Sequence, residues 1–340
     1  MLESTRSIMN AGIPLLSVHD LSVDYRVRGS KHHRVSAVDR ISFDIFPGET
    51  LALVGESGCG KTTLGRALLG RVPTSSGSID FDGTELTTAT RRQWRELHRE
   101  IQLIFQNPYA SLNPRMVVRD IIGEPLLLHG IRGQALEDRV DQLLDMVRLP
   151  RSVRKRYPYA FSGGQRQRIV IARALALKPR FIVADEPVSA LDVSIQAQIV
   201  QLMQELQREL GVSYLFIAHN LAVIRQIADR VAVMYLGRIV EIANRESLYA
   251  SPQHPYTKAL LSAAPIPDPT VLRPQRIILE GDPPSPVNPP AGCRFHTRCQ
   301  FAVERCKIER PSLDYHAPAH QVACWVVAEQ DSTDERFQKI

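Results

Sequence analysis

The residues best suited to chemistry fall in one short run, Gly55-Glu56-Ser57-Gly58-Cys59-Gly60-Lys61-Thr62-Thr63. The G-x-x-x-x-G-K-T spacing suits a phosphate cradle. Glycines let successive backbone N–H groups turn inward, and a helix beginning at the lysine adds the positive end of its dipole. Lys61 is placed to neutralise β- and γ-phosphate oxygens, and the Thr62 hydroxyl to ligate Mg²⁺. The apolar run Thr50 to Val54 reads as a buried strand leading in, and Thr63 to Leu69 as a helix leading out. That setting favours a nucleotide loop over a glycine turn without a ligand. Cys59 reads as a small loop residue. A thiol at a helix N-terminus is expected to have a lowered pKa, so its alkylation should block nucleotide binding.

A second group sits at the ends of apolar segments. Asp185-Glu186 follow Phe181 to Ala184, Gln106 follows Ile101 to Phe105, and His219 follows Ser213 to Ile217. In alternating α/β chains, ligands bind beyond the carboxyl ends of parallel strands. Asp185 is therefore expected to hold Mg²⁺, directly or through water, and Glu186 to orient or deprotonate an attacking water. Gln106 and His219 are expected to face the γ-phosphate, although a strand-end Gln or His taken alone is more often a satisfied polar residue. Tyr25, near the end of an early β segment, either stacks on adenine or is a surface aromatic. Ser162-Gly163-Gly164-Gln165 has the makings of an anion site, with small residues, exposed N–H groups and Ser162 as N-cap of a helix. It lies more than a hundred residues beyond the first loop. One nucleotide meets both segments only if two chains pack head to tail, with ATP closing the pair and hydrolysis reopening it.

The elements that must position these groups alternate along the chain. Residues 13–25 and 38–46 predict antiparallel β structure; Ile41, Phe43 and Ile45 alternate with Ser42 and Asp44. Ser78 to Phe81 reads as a strand, and Asp82-Gly83 as a hairpin turn. Asn107-Pro108 and Asn113-Pro114 break the chain. A helical insertion follows over about residues 107–178, with apolar faces at Ile121, Ile122, Leu126, Leu127 and at Val140, Leu143, Leu144, Val147, and a helix from Arg166 to Leu177. Beyond it come a strand at 181–184, a helix at 194–210, a strand at 213–217, a helix at 221–227 and a strand at 231–234, the pattern of a covered, mainly parallel sheet.

At 340 residues the length suggests two domains, placed at 13–264 and 265–328. Nine prolines within 265–290 mark a linker or extended wrap, and the last dozen residues read as disordered. With 44% apolar and 23% charged residues, the composition is that of a soluble globular protein. No apolar stretch approaches a membrane span of about 20 residues. Met1 to Asn10 lack a signal-peptide core, so the chain is expected in the cytoplasm. The net charge of +6 is scattered apart from Arg148 to Arg156, which favours a solvated or membrane-proximal face over nucleic acid. Cys293, Cys299, Cys306 and Cys324 are spaced C-x5-C-x6-C-x17-C, unlike the C-x2-C of zinc ribbons. Four thiolates can hold Zn²⁺ or an iron–sulfur cluster, and buried thiols without metal are the third reading. His296, His316 and His320 lie nearby as spare ligands or, more simply, as loop residues. Such a site would serve to fold a small appendage.

In this order, GESGCGKTT, Gln106, FSGGQRQR, FIVADEP, SALD (Ser189 to Asp192) and His219 resemble the motifs of ATP-binding cassette ATPases, over about residues 13–250. The resemblance implies an α/β P-loop NTPase (RecA-like) core with an antiparallel β subdomain and a helical subdomain insertion, here with a small Cys-rich C-terminal appendage. It implies ATP and Mg²⁺ as cofactors, Tyr25 on adenine, a metal site of Thr62, Gln106 and Asp185, and Gln106 coupling that site to a transmembrane partner. It implies that Ser162 to Gln165 close on a second subunit's ATP, with Asp192 contacting across the dimer. Phe161 stands where many members have leucine, and it remains apolar.

FQNPYASLNPRM (105–116), HPYTKALLSAAPIPDP (254–269) and the Pro-rich, Cys-rich tail resemble the oligopeptide/dipeptide importer ATPases. That implies a subunit on the cytoplasmic face of the inner membrane, powering uptake through two permease subunits. It also implies a heterodimer with a second ATPase type (a homodimer stays open), an extracytoplasmic substrate-binding protein, and a [4Fe–4S] cluster on the four cysteines. Nickel, glutathione or oligosaccharide is the alternative cargo. A soluble factor of translation or DNA repair would join two cassettes or insert a long coiled coil, and neither is present. Intact Lys61, Asp185 and Glu186 argue against a non-catalytic binder.

Overall fold

The chain opens on an antiparallel pair, β1 (Leu16–Arg26) and β2 (Arg34–Ile45), before the apolar β3 (Thr50–Val54). The computed structural model describes residues 12–26, 34–263 and 277–328. The first ten residues, the part of the Pro-rich stretch over 265–276, and the last dozen residues lie outside these. After β3 come β4 (Ser76–Phe81), β5 (Thr84–Glu85), β6 (Ile101–Ile104), β7 (Phe181–Asp185), β8 (Ser213–Ile217), β9 (Arg230–Tyr235), β10 (Arg238–Asn244), β11 (Asp314–Ala317) and β12 (His320–Val322).

The strands form two sheets. One is antiparallel, in the order β2-β1-β4-β5; its Asp82-Gly83 turn has φ of 50° and 80°, the left-handed pair a two-residue hairpin needs. The other has eight strands, β11-β12-β10-β9-β3-β8-β7-β6. From β6 to β9 neighbours run parallel, and β10, β12 and β11 add on antiparallel. The parallel strands are mostly apolar because both faces are covered. Side chains alternate between two cores. Leu51, Leu53, Phe181, Val183, Leu215 and Ile217 pack with Leu16, Val18 and Ile41 of the antiparallel sheet. Ala52, Val54, Ile182, Ala184, Tyr214 and Phe216 share the other core with Ile121, Leu143 and Ile169 of the helical stretch.

The helices differ from expectation mainly at their starts, which capping side chains set. Thr90 and Gln93 form a capping box that starts a helix at Arg91–Glu100, which the apolar pattern left unassigned. Asn107-Pro108 starts a helix instead of breaking one. The Asn107 side chain accepts from the Tyr109 amide at 2.8 Å, and proline suits the first turn. Ser162 and Gln165 make a second capping box, so the next helix spans Gly163–Ala174, three residues earlier than predicted. Val118–Leu128 and Gly133–Met146 are the other long helices of this stretch.

The C-terminal segment is stitched to the core sheet rather than hung from it. β12 pairs with β10, Glu241 opposite Val322. The fully buried Glu241 carboxylate accepts from the amides of Gln253 (2.8 Å) and His254 (3.0 Å) and meets the His320 ring at 2.7 Å. Burial pushes its pKa up, but these hydrogen bonds outweigh it and hold the carboxyl below the ordinary range. His254, buried and pushed down to about 4, stays neutral and caps the helix Pro255–Ser262 through Nδ1.

Candidate nucleotide site

Parallel register brings the strand ends level: Ile104 lies opposite Ala184, and Asp185 opposite Ile217, which aligns with Leu53. The residues that follow therefore collect along one edge of the sheet. On that edge β3 runs into the loop Gly55 to Gly60, and the helix Lys61–Leu68 leaves it. Two of its glycines are required by close approach. A Cβ on Gly55 (φ 155°) would lie 2.1 Å from the Met234 carbonyl oxygen, and one on Gly60 (φ 110°) 2.1 Å from that of Ala37. Ser57 and Gly58 are exposed at the tip, and Thr63 is half-buried in the first helical turn. The Lys61 side chain lies along the loop, its ammonium donating to the carbonyls of Gly55 (2.8 Å) and Glu56 (2.9 Å).

The expectation of an activated Cys59 is corrected. The residue is buried, and burial pushes the thiol above its ordinary pKa against the pull of Lys61, whose nitrogen lies 3.7 Å from Sγ. The thiolate fraction that alkylation needs is suppressed. Iodoacetamide should therefore label Cys59 at least about 10-fold more slowly in the native chain than in guanidinium, as read by peptide mass spectrometry. Rapid native labelling would contradict this.

Two polar pairs face the loop. Thr62 Oγ1 donates to Asp185 Oδ1 at 3.1 Å. Gln106 Nε2 donates to Glu186 Oε2 at 2.8 Å, and His219 Nδ1 lies 3.4 Å from the same oxygen. Burial raises the Asp185 pKa, and the Glu186 charge adds to this while the Thr62 hydrogen bond opposes it. The hydroxyl and carboxylate of the first pair are hard oxygen donors, which suits Mg²⁺. Bound there, Mg²⁺ would neutralise phosphate charge. Gln106, grouped with the metal site on the sequence, donates to Glu186 in this structure.

Glu186 is held in the left-handed region, φ 47°, by its amide bond to the Ile217 carbonyl (2.9 Å) and by Ser189, whose hydroxyl donates to the Glu186 carbonyl (3.1 Å). That conformation costs a non-glycine residue on the order of 1–2 kcal/mol. The strained backbone fixes this carboxylate between the Gln106 amide and the His219 imidazole.

Tyr25 is half-exposed on β1, opposite Val35, which lies two residues before Ala37, whose carbonyl abuts the loop. Ser162, Gly163, Gly164 and Gln165 lie elsewhere. Ser162 Oγ accepts from the Gln165 amide (3.3 Å), and the Gln165 side chain accepts from the Ser162 amide (3.1 Å). The two glycines have a packing reason: added Cβ atoms would lie 3.0 Å from Leu191 and 2.6 Å from Ile195. The groups touching this segment are different from those touching the Gly55–Lys61 loop, and the two sites do not meet within one chain.

Sequence reading missed what holds Glu56. Its amide donates to the Tyr256 hydroxyl at 2.9 Å, and its carboxylate pairs with Arg298 at 2.9 Å. No local pattern reveals a contact 242 residues apart in the chain.

The cysteines are neighbours. The Cys293 amide donates to the Cys306 carbonyl at 2.9 Å. Burial, with the other three thiols adding to it, pushes Cys293 up to about 11. Cys299 and Cys324 are also raised by burial. Among the described residues, however, no group of three or more His, Cys, Asp or Glu side chains converges to hold a metal ion. The predicted [4Fe–4S] cluster, and zinc as its alternative, are not supported by this geometry, in which Cys306 is buried and Cys293, Cys299 and Cys324 are half-buried.

Residues 38–189 match the family described as ABC transporter, and residues 240–306 the oligopeptide/dipeptide transporter C-terminal region. A Brucella ovis chain named for peptide import is 53% identical over 312 residues, covering 92% of this chain and 97% of its own length. The oligopeptide transport ATP-binding protein OppF of Salmonella typhimurium is 49% identical over 319 residues, covering 91% of this chain and 95% of its own. Among solved structures, a dimeric ATP-binding cassette bound to ADP and Pi superposes with a TM-score of 0.61 at 25% identity, covering 68% of this chain and 98% of that one. The cbiO1 protein of Clostridium perfringens gives 0.63 at 27%, covering 71% and 92%. The chain therefore belongs to the ATP-binding cassette transporter family, as an ATP-hydrolysing subunit of the oligopeptide/dipeptide type.

Proposed function

We propose that this subunit hydrolyses ATP to drive peptide uptake through membrane permease subunits. The observation that carries the reading is similarity running unbroken through the nucleotide loop and the C-terminal region of proteins named for oligopeptide transport. Among the described residues no helix is long and apolar enough to cross a membrane. In this account residues 13–264 form the ATPase domain, with the helical insertion at about 107–178, and 265–328 the C-terminal region. Lys61 and the loop amides bind the phosphates, Thr62 and Asp185 hold Mg²⁺, and Tyr25 stacks on adenine. Glu186 takes a proton from the attacking water, with Gln106 and His219 fixing its carboxylate.

The capped segment Ser162 to Gln165 completes the site of a second ATPase subunit, which explains why one chain keeps it apart from its own loop. A heterodimer with another ATPase type, docked on the cytoplasmic face of the inner membrane beneath two permease subunits and served by a substrate-binding protein, follows from the same reading. Affinity purification from detergent-solubilised membranes should bring down two permeases and a second ATPase chain. Deletion should abolish labelled di- or oligopeptide uptake while leaving nickel, glutathione and oligosaccharide uptake intact. Loss of one of those in place of peptide uptake would overturn the cargo.

A further inference from the structure

Glu56 is an odd residue for its position. It puts a carboxylate inside a loop whose amides and lysine must attract a polyanion. The structure gives that charge one dedicated counterion. One terminal nitrogen of Arg298 contacts both carboxylate oxygens, at 3.1 and 2.9 Å, and the Arg298 side chain is only 8% exposed. With the Glu56 side chain 28% exposed, the pair is partly buried and less screened by salt than a surface pair. Tyr256 holds the main chain of the same residue by accepting its amide.

Both partners come from the C-terminal part of the chain, which reaches the loop by another route as well. Arg294 donates to the Leu236 carbonyl and pairs with Asp39, while the adjoining Gly237 amide donates to the Cys59 carbonyl at 2.8 Å. Arg298 itself sits between Cys293 and Cys299 in the turn His296–Arg298.

We propose that Arg298 is a positioning residue of the nucleotide site. It neutralises Glu56 and holds it back, so that the loop accepts a triphosphate, and it makes ATP affinity depend on the Cys-rich segment. The proposal rests on the loop being the nucleotide site. Without Arg298, the free carboxylate faces the phosphates and opposes them.

The test is MgATP titration calorimetry on the full chain, with Lys61→Ala as a separate check on the loop. Arg298→Ala should weaken MgATP binding about five-fold, the scale of one unpaired charge acting through water on the phosphates. Arg298→Lys should recover most of the loss. Adding Glu56→Gln to Arg298→Ala should restore affinity, because the repelling charge is gone, and Glu56→Gln alone should bind no more weakly than wild type. Lower salt should enlarge the Arg298→Ala defect. A merely structural role for Arg298 would leave the double variant as weak as the single one, and that result overturns the proposal. So does unchanged affinity in Arg298→Ala or weakened binding in Glu56→Gln, a variant that reports even if Arg298→Ala does not fold. Binding that survives Lys61→Ala would instead count against the loop assignment, whatever Arg298 does.

Discussion

Lys61→Ala should bind MgATP at least about 100-fold more weakly than the native chain, since a unit charge about 4 Å from phosphate is worth several kcal/mol at an effective dielectric near 20. Two features of the structure make the loss large. The ammonium is fixed in place by the Gly55 and Glu56 carbonyls, so its charge is preorganised. Its removal also leaves the Gly55 carbonyl without this donor and the Glu56 carbonyl with only the longer bond from the Cys59 amide (3.3 Å). Lys61→Arg should not rescue binding, because a planar fork cannot occupy the space of a compact ammonium that is 6% exposed. Calorimetric titration gives the affinities, and an unchanged thermal melt shows that the loss belongs to the site. Tight binding by the alanine variant would remove the loop from the nucleotide site.

Glu186→Gln should separate binding from hydrolysis. The substitution keeps the shape of a side chain already joined to Gln106 at 2.8 Å and placed 3.4 Å from His219, but it removes the carboxylate that accepts a proton. Phosphate release should fall on the order of 10²–10⁴-fold, the contribution of a positioned general base, with MgATP affinity changed by no more than about three-fold. With its second subunit the variant should accumulate as a closed, ATP-dependent dimer, read by sedimentation with and without nucleotide. Rapid turnover by the glutamine variant would transfer the base role elsewhere. The two variants are complementary: one loses ATP, and the other keeps it without spending it.

Much of this site was legible because its pieces lie at the ends of strands that announce themselves. β3, β7 and β8 are buried at nearly every position, so their apolar runs stand out, and Lys61, Asp185, Glu186 and His219 follow directly on them or on the loop they feed. Asp82-Gly83 and Ser162 were readable for a similar local reason, the backbone demands of a hairpin and a helix start. The failures share the opposite cause. Whether Cys59 is activated depends on burial by residues far along the chain, which a helix-start argument cannot see. Gly163 and Gly164 were read for a cradle, and the sequence could not show that Leu191 and Ile195 also leave no room for a side chain there. The cysteine spacing suggested a metal, but ligation depends on where the thiols point, not on how far apart they lie in sequence. β10 and β12 were missed because their pairing is organised by the buried Glu241 and His320, polar residues that interrupt an apolar pattern. Arg298 left no trace in spacing at all.

The central claim is that hydrolysis at this chain's Glu186-bearing site drives peptide transport. The most direct measurement is ATP-dependent uptake of a labelled oligopeptide into proteoliposomes holding the assembled transporter, with substrate-binding protein present. Native subunit and Glu186→Gln would be compared at equal incorporation. The account predicts sustained uptake with the native chain and none beyond background with the variant, although both retain MgATP. Equal uptake by the two would contradict it.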